Sequence, residues 1–123
     1  MGYLTDRKRA AGLGSAKQGT EHHWFMQVSA VGLAIVVPIF IFLVGPLLGA
    51  PHDEVVATFS RPFPAIITAL VVWASMVHFK KGATTMIEDY AHGFARKALI
   101  IAVTCISYAV MATGLYALAR MAL

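Results

Sequence analysis

Three long stretches of the chain contain no aspartate, glutamate, lysine or arginine, and they limit its possible folds more than any other feature. They hold 31, 18 and 22 residues, and they lie between Glu21 and Asp53, between Arg61 and Lys80, and between Lys97 and Arg120. A helix needs about 20 mainly apolar residues to cross the hydrocarbon core of a bilayer, which is about 30 Å thick. The sequence therefore predicts an all-α integral membrane protein with three transmembrane helices.

The composition agrees with a membrane protein and argues against a soluble enzyme. Of the 123 residues, 59% are hydrophobic and 13% are charged, whereas soluble domains average about 45–50% and about 25%. The same apolar excess argues against a disordered chain, because disorder is typical of segments with low hydrophobicity.

The predicted spans can be placed from the charges and prolines. They cover residues 24–48, 62–86 and 96–119, which together form a membrane domain of residues 24–123 after a basic N-terminal arm of residues 1–23. Pro38 lies within the first span and predicts a kink, because its nitrogen carries no hydrogen. In the third span, Ala109, Thr113 and Ala117 recur every four residues, a small-residue stripe that favours close helix packing in lipid.

The charges beside the spans predict the orientation of the chain. The N-terminal arm contains Arg7, Lys8, Arg9 and Lys17, and the second loop is flanked by Lys80, Lys81, Arg96 and Lys97. The first loop and the C-terminal end carry one basic residue each, Arg61 and Arg120. The positive-inside rule therefore predicts a cytoplasmic N-terminus and a periplasmic C-terminus.

His78 is the first candidate functional residue, because it lies inside the second span near its cytoplasmic end. An ionisable group at that depth is costly and indicates a function. Neutral imidazole is a common axial ligand of haem iron. A histidine that is hydrogen-bonded to a neighbouring helix explains the same position, and the spacing leaves both interpretations open.

A second group of polar residues follows eleven positions later. If the helix continues, Asp89 lies on the face of His78 and about 16 Å along the axis, with Gly82 between them leaving room for a flat group. Tyr90 and His92 follow, and a phenol, a carboxylate and an imidazole are suited to binding and protonating a quinone headgroup. The alternative is an ordinary polar loop in which Gly93 ends the helix.

These residues together resemble a known family. The motif His78, then Asp89-Tyr90-Ala91-His92-Gly93, is similar to that of the hydrophobic membrane anchor subunit of succinate dehydrogenase, respiratory complex II. Gly19-Thr20-x-His22-His23-Trp24, the Arg61-Pro62-Phe63-Pro64 opening and the predicted topology also fit. The Asp-Tyr-x-His-Gly form resembles the mitochondrial-like branch, which has two anchor chains and one haem.

The resemblance implies roles for individual residues. His78 becomes one axial ligand of haem b, and a second membrane anchor subunit, the one of the cytochrome b type, supplies the other. Tyr90 becomes a donor to a ubiquinone carbonyl, Asp89 orients it or relays protons, and His92 is a further candidate for proton relay. The candidates to contact the haem propionates are His22, His23, Lys80 and Lys81. Simple anchoring at the membrane interface is an equal alternative for each of these four.

The resemblance also implies partners and a place in metabolism. The chain would anchor an iron-sulfur subunit and a flavoprotein subunit at the bacterial inner membrane, in a complex that links the tricarboxylic acid cycle to electron transport. It has no flavin motif and no cysteine cluster, so succinate chemistry belongs to those partners. Many family members have arginine where this chain has Val28, and Lys17 or a partner residue is expected to replace it.

Two alternatives remain at this point. The chain is also compatible with a haem-free fumarate reductase anchor, in which His78 is structural. It is compatible, too, with a membrane assembly subunit that has no redox site.

Overall fold

The computed structural model describes residues 5–7 and 19–123, so most of the predicted N-terminal arm, Lys17 included, lies outside the described residues. Within them the elements are α1 (Gly19–Val44), a 3-10 turn (Gly45–Leu47), α2 (His52–Phe59), α3 (Pro62–Tyr90) and α4 (Gly93–Ala122). The three long helices α1, α3 and α4 are long and apolar enough to cross a membrane. This confirms the predicted all-α fold with three transmembrane helices.

α1 begins before the predicted first span and ends before the predicted boundary at residue 48. Glu21 lies in its first turn, where the positive end of the helix dipole favours an anion. At the other end, Pro46 has no N–H to donate to the carbonyl four residues earlier, so the α-helix gives way to a 3-10 turn. Gly49 follows with a φ of 84°, which glycine adopts without steric cost.

A short helix, α2, forms in the segment that the sequence pattern predicts as a loop. Asp53 and Glu54 lie in its first turn, where acidic side chains are favoured. Phe59 at its end is buried, and α2 packs against both α3 and α4. The Ser60 hydroxyl that follows donates a hydrogen bond to the Val56 carbonyl at 2.8 Å and lies 3.3 Å from the Met121 carbonyl. These contacts hold α2 against the C-terminal end of α4.

α3 is the central helix, because α1 packs on one side of it and α4 on the other. Against α4 the approach is close at Gly114, where a Cβ atom would lie 3.2 Å from Cγ1 of Val72. The predicted stripe of Ala109, Thr113 and Ala117 is exposed instead. The small residue that allows α3 and α4 to pack closely is therefore Gly114, and the stripe faces away from the bundle.

Few side chains are buried within the chain itself. In the described residues the buried apolar side chains are Phe59, Pro64, Ile67, Ile87 and Leu118. Large apolar residues such as Phe42, which is 81% exposed, cover the outside of the helices. Such a surface is suited to contact with lipid or with other membrane subunits, and not with water.

A tight corner joins α3 to α4 at the end of the bundle that carries the polar motif. α3 continues to Tyr90 and α4 begins at Gly93, so Ala91 and His92 alone lie between them. Gly93 has a φ of 61°. Across the corner, Nη2 of Arg96 lies 3.2 Å from Oε1 of Glu88.

We expect Gly93→Ala to destabilise the folded protein by about 1–2 kcal/mol, because a Cβ atom is unfavourable at this left-handed φ. No other atom lies within 4 Å of the new Cβ, so the loss measures backbone strain alone. Gly45→Ala is the matched control, since its Cβ also meets nothing and its φ is not in the left-handed region. Thermal unfolding of the purified protein in detergent checks the prediction. Equal midpoints for the two variants would contradict it.

Candidate functional site

His78 lies half-buried on the face of α3 that packs against α1. Its Nδ1 atom is 2.7 Å from Oγ of Ser29, and the same hydroxyl donates to the Met26 carbonyl at 3.1 Å. A serine hydroxyl has one proton, so both hydrogen bonds form together only when Nδ1 of His78 carries the imidazole proton. In that tautomer the lone pair is on Nε2, which leaves Nε2 able to bind a metal.

The same face of α3 continues toward the corner and stays in contact with α1. A Cβ atom on Gly82 would lie 3.4 Å from the Met26 methyl group, and Oγ1 of Thr85 is 3.1 Å from Nε2 of His22. The spacing of His78, Gly82 and Thr85 is that of one helix face. Gly82 therefore faces the methyl group of the flexible Met26 side chain, and the space for a flat group beside the helix stays a prediction.

The four basic candidates for the haem propionates do not converge. Lys81 places its Nζ atom 3.7 Å from the Phe25 ring centroid, on the α1 side of α3. Lys80 points to the other side, where its Nζ atom donates to the Tyr108 hydroxyl at 2.8 Å. His22 faces α3 and is half-buried, whereas His23 is exposed. The structure thus brings His22 and Lys81 to the face of His78 and separates Lys80 and His23 from it.

The predicted quinone residues lie at the corner between α3 and α4. Asp89 and Tyr90 form the end of α3, and His92 precedes the first residue of α4. All three are exposed, Tyr90 by 83%. Within the described part of the chain, none of these side chains makes a hydrogen bond. They are therefore free to contact a substrate or another subunit.

An apolar groove of about 240 Å³ lies between α1 and α3 beside His78. Its lining residues are Phe25, Val28, Ser29, Gly32, Trp73, Ala74 and Val77. Val28 contributes a small apolar wall at the position where many family members have arginine. Ser29 both lines the groove and contacts His78, a role that the sequence alone does not assign. One feature of the sequence could have indicated this role, because Ser29 is one of the few polar side chains in α1.

The fold and the site define a class: a multi-pass membrane subunit that holds an oriented imidazole between two transmembrane helices. Residues 1–116 match the family described as succinate dehydrogenase/fumarate reductase transmembrane subunit, and the chain belongs to that family. It is 52% identical over 123 residues to the succinate dehydrogenase hydrophobic membrane anchor subunit of Paracoccus denitrificans, covering 100% of this chain and 95% of the relative. No solved structure matches the chain significantly.

These matches confirm the resemblance found in the sequence. The chain is a membrane anchor subunit of the succinate dehydrogenase and fumarate reductase family, and a multi-pass protein of the bacterial inner membrane. Membership in the family implies that the chain associates with other subunits of a complex. The specific roles of His78, Tyr90 and Asp89 are taken up as proposals below.

Proposed function

We propose that this chain, together with a second anchor subunit, binds haem b and forms part of a ubiquinone-reduction site in a succinate dehydrogenase complex. The observation that carries the proposal is the 2.7 Å contact between Nδ1 of His78 and Oγ of Ser29. Metal-binding histidines regularly donate their other ring N–H to a fixed acceptor, which sets the tautomer and the ring orientation. The same contact is also what a purely structural histidine bonded to a neighbouring helix would make, and membership in the family is what favours ligation for His78.

The residues present fit one haem ligand from this chain. Of the five histidines, His78 alone lies within one of the predicted spans, and a haem iron would take two axial ligands. The other histidines lie near the helix ends, so the second axial ligand comes from the second anchor subunit. His22 and Lys81 are the candidates to contact propionates, because they share the α1 side of α3 with His78. When bound, haem b supplies a centre that accepts and returns one electron.

The corner residues supply the chemistry that a quinone needs. The Tyr90 hydroxyl donates a hydrogen bond to a quinone carbonyl, which favours the growth of negative charge on that oxygen during reduction. The exposed Asp89 and His92 exchange protons with water and deliver them toward the headgroup. Electrons come from the iron-sulfur subunit, and two electrons and two protons convert ubiquinone to its quinol.

The same end of the bundle is suited to hold the soluble subunits. Tyr90 and Phe94 are 83% and 86% exposed there, and aromatic residues are typical anchors of protein interfaces. We place the iron-sulfur and flavoprotein subunits at this end, on the cytoplasmic side that the positive-inside rule predicts. This arrangement brings the source of electrons next to Tyr90.

A reduced-minus-oxidised optical spectrum of the purified complex tests the haem proposal. A b-type haem band supports it. A complete complex with no such band contradicts it and favours a haem-free fumarate reductase anchor.

Ser29 is expected to act as a positioning residue for His78. We expect Ser29→Ala to weaken haem binding about tenfold or more, because loss of the partner of a metal-bound histidine typically costs about 10- to 100-fold in affinity. Ser29→Thr keeps the hydroxyl and should keep the haem. The measurement is the ratio of haem to protein during dilution in detergent. Equal retention of haem by the alanine variant and the wild type would show that the hydrogen bond does not hold the ligand.

A further inference from the structure

A second groove lies at the opposite end of the bundle from Tyr90, where α2 meets the last turns of α4. It has a volume of about 390 Å³, and its lining residues are His52, Val56, Tyr116, Ala117, Arg120 and Met121. We call it the His52–Arg120 groove. It forms where α2 packs against α4, and it is separate from the site proposed for haem and quinone.

The polar side chains of this groove, His52, Tyr116 and Arg120, can all donate hydrogen bonds, and Arg120 is a permanent cation. Tyr116 and Arg120 are four residues apart, so they project from one face of α4. His52 faces them from α2 across the groove. Arg120 makes no ion pair with any described residue, and Asp53 and Glu54 do not line the groove. The groove therefore presents a positive charge and hydrogen-bond donors, and no acidic side chain lines it.

The other wall of the groove is apolar and lies at the boundary of the membrane. Val56, Ala117 and Met121 form this wall, and the small side chain of Ala117 opens space between Tyr116 and Met121. Tyrosine and arginine near the end of a transmembrane helix lie at the level of the lipid headgroups. A ligand with an anionic head and an apolar tail matches both walls.

We propose that the His52–Arg120 groove binds an anionic phospholipid through its phosphodiester. The Arg120 guanidinium pairs with two phosphate oxygens, as its planar geometry favours. The Tyr116 hydroxyl and the His52 imidazole donate further hydrogen bonds to the headgroup. The volume equals that of about a dozen water molecules at ~30 Å³ each, enough for a phosphodiester and its glycerol. An acyl chain then lies against Val56 and Met121.

Lipid titration of the purified complex tests this proposal. The complex is stripped of lipid in detergent and titrated with phosphatidylglycerol or with phosphatidylcholine of the same acyl chains, and bound lipid is counted by native mass spectrometry. We expect wild type to prefer phosphatidylglycerol, and Arg120→Gln to lower that affinity about five- to tenfold. Arg61→Gln is the matched control, because Arg61 lies at the same end of the bundle but outside the groove.

Several different results would overturn the proposal. An equal loss in Arg61→Gln and Arg120→Gln would show general surface attraction and overturn the proposal. Displacement of the lipid by millimolar inorganic phosphate would show a site for free anions and overturn it as well. A wild-type complex that binds neither lipid would show that another subunit covers the groove, and it would overturn the proposal too. If Arg120→Gln does not assemble, Tyr116→Phe serves in its place and is expected to weaken phosphatidylglycerol binding, and unchanged binding in this variant would overturn the proposal.

Discussion

His78→Leu should abolish the b-type haem band of the purified complex. Leucine fills a similar volume but has no lone pair to give to iron, so one of the two axial bonds is lost. The variant also removes the partner of Ser29, whose hydroxyl still has the Met26 carbonyl as acceptor at 3.1 Å. We therefore expect α1 and α3 to stay paired and the complex to assemble. The measurement is the reduced-minus-oxidised spectrum per mole of complex.

Phe79→Leu is the matched control for this experiment. Phe79 is the next residue of α3, it is 51% exposed, and the substitution introduces the same side chain. Its haem band should equal that of the wild type. If the band persists in His78→Leu, the ligand is another residue and the assignment of His78 is wrong.

Tyr90→Phe should lower quinone reductase activity about 100-fold in kcat/KM. The change removes a single hydroxyl, and the loss of one preorganised donor to a developing oxyanion costs about 100- to 1000-fold in comparable sites. Because Tyr90 is 83% exposed and its hydroxyl makes no hydrogen bond within the described residues, stability should hardly change. Activity is measured with a soluble ubiquinone analogue.

Two controls test whether the loss of activity is specific to the quinone site. Electron transfer from succinate to a dye that reacts with the soluble subunits should be unchanged, because it does not pass through the anchor. Tyr108→Phe is the matched control, since it removes the same group from a residue whose hydroxyl contacts Lys80 and lies away from the corner. Full quinone reductase activity in an assembled Tyr90→Phe complex would favour the alternative of an assembly subunit with no redox site.

The three membrane spans can be predicted from the sequence because a charged side chain is costly in lipid. Each span is therefore a long stretch without charged residues. The ends of the helices cannot be predicted in the same way. An α-helix can continue past its apolar segment into polar residues, because those residues still form the backbone hydrogen bonds of the helix. α3 thus runs through Lys80 and Lys81 to Tyr90. The sequence pattern does not predict α2, because its eight residues have little helical preference alone and are stabilised by the burial of Phe59.

Parts of the candidate site were predictable and others were not. The periodicity of one helix places His78, Gly82 and Thr85 on a common face. It does not reveal which side chains of a neighbouring helix meet that face, so the contacts with Ser29 and His22 required the structure. The adjacent lysines show the same limit, because a single step of about 100° sends Lys80 toward α4 and Lys81 toward α1.

The small number of buried side chains has a consequence for the life of this protein in the cell. With Phe59, Pro64, Ile67, Ile87 and Leu118 as the buried apolar side chains of the described residues, most of the helix surface stays free for lipid or for other membrane subunits. A copy synthesised without those subunits is expected to lack part of the packing that stabilises it and to be degraded faster.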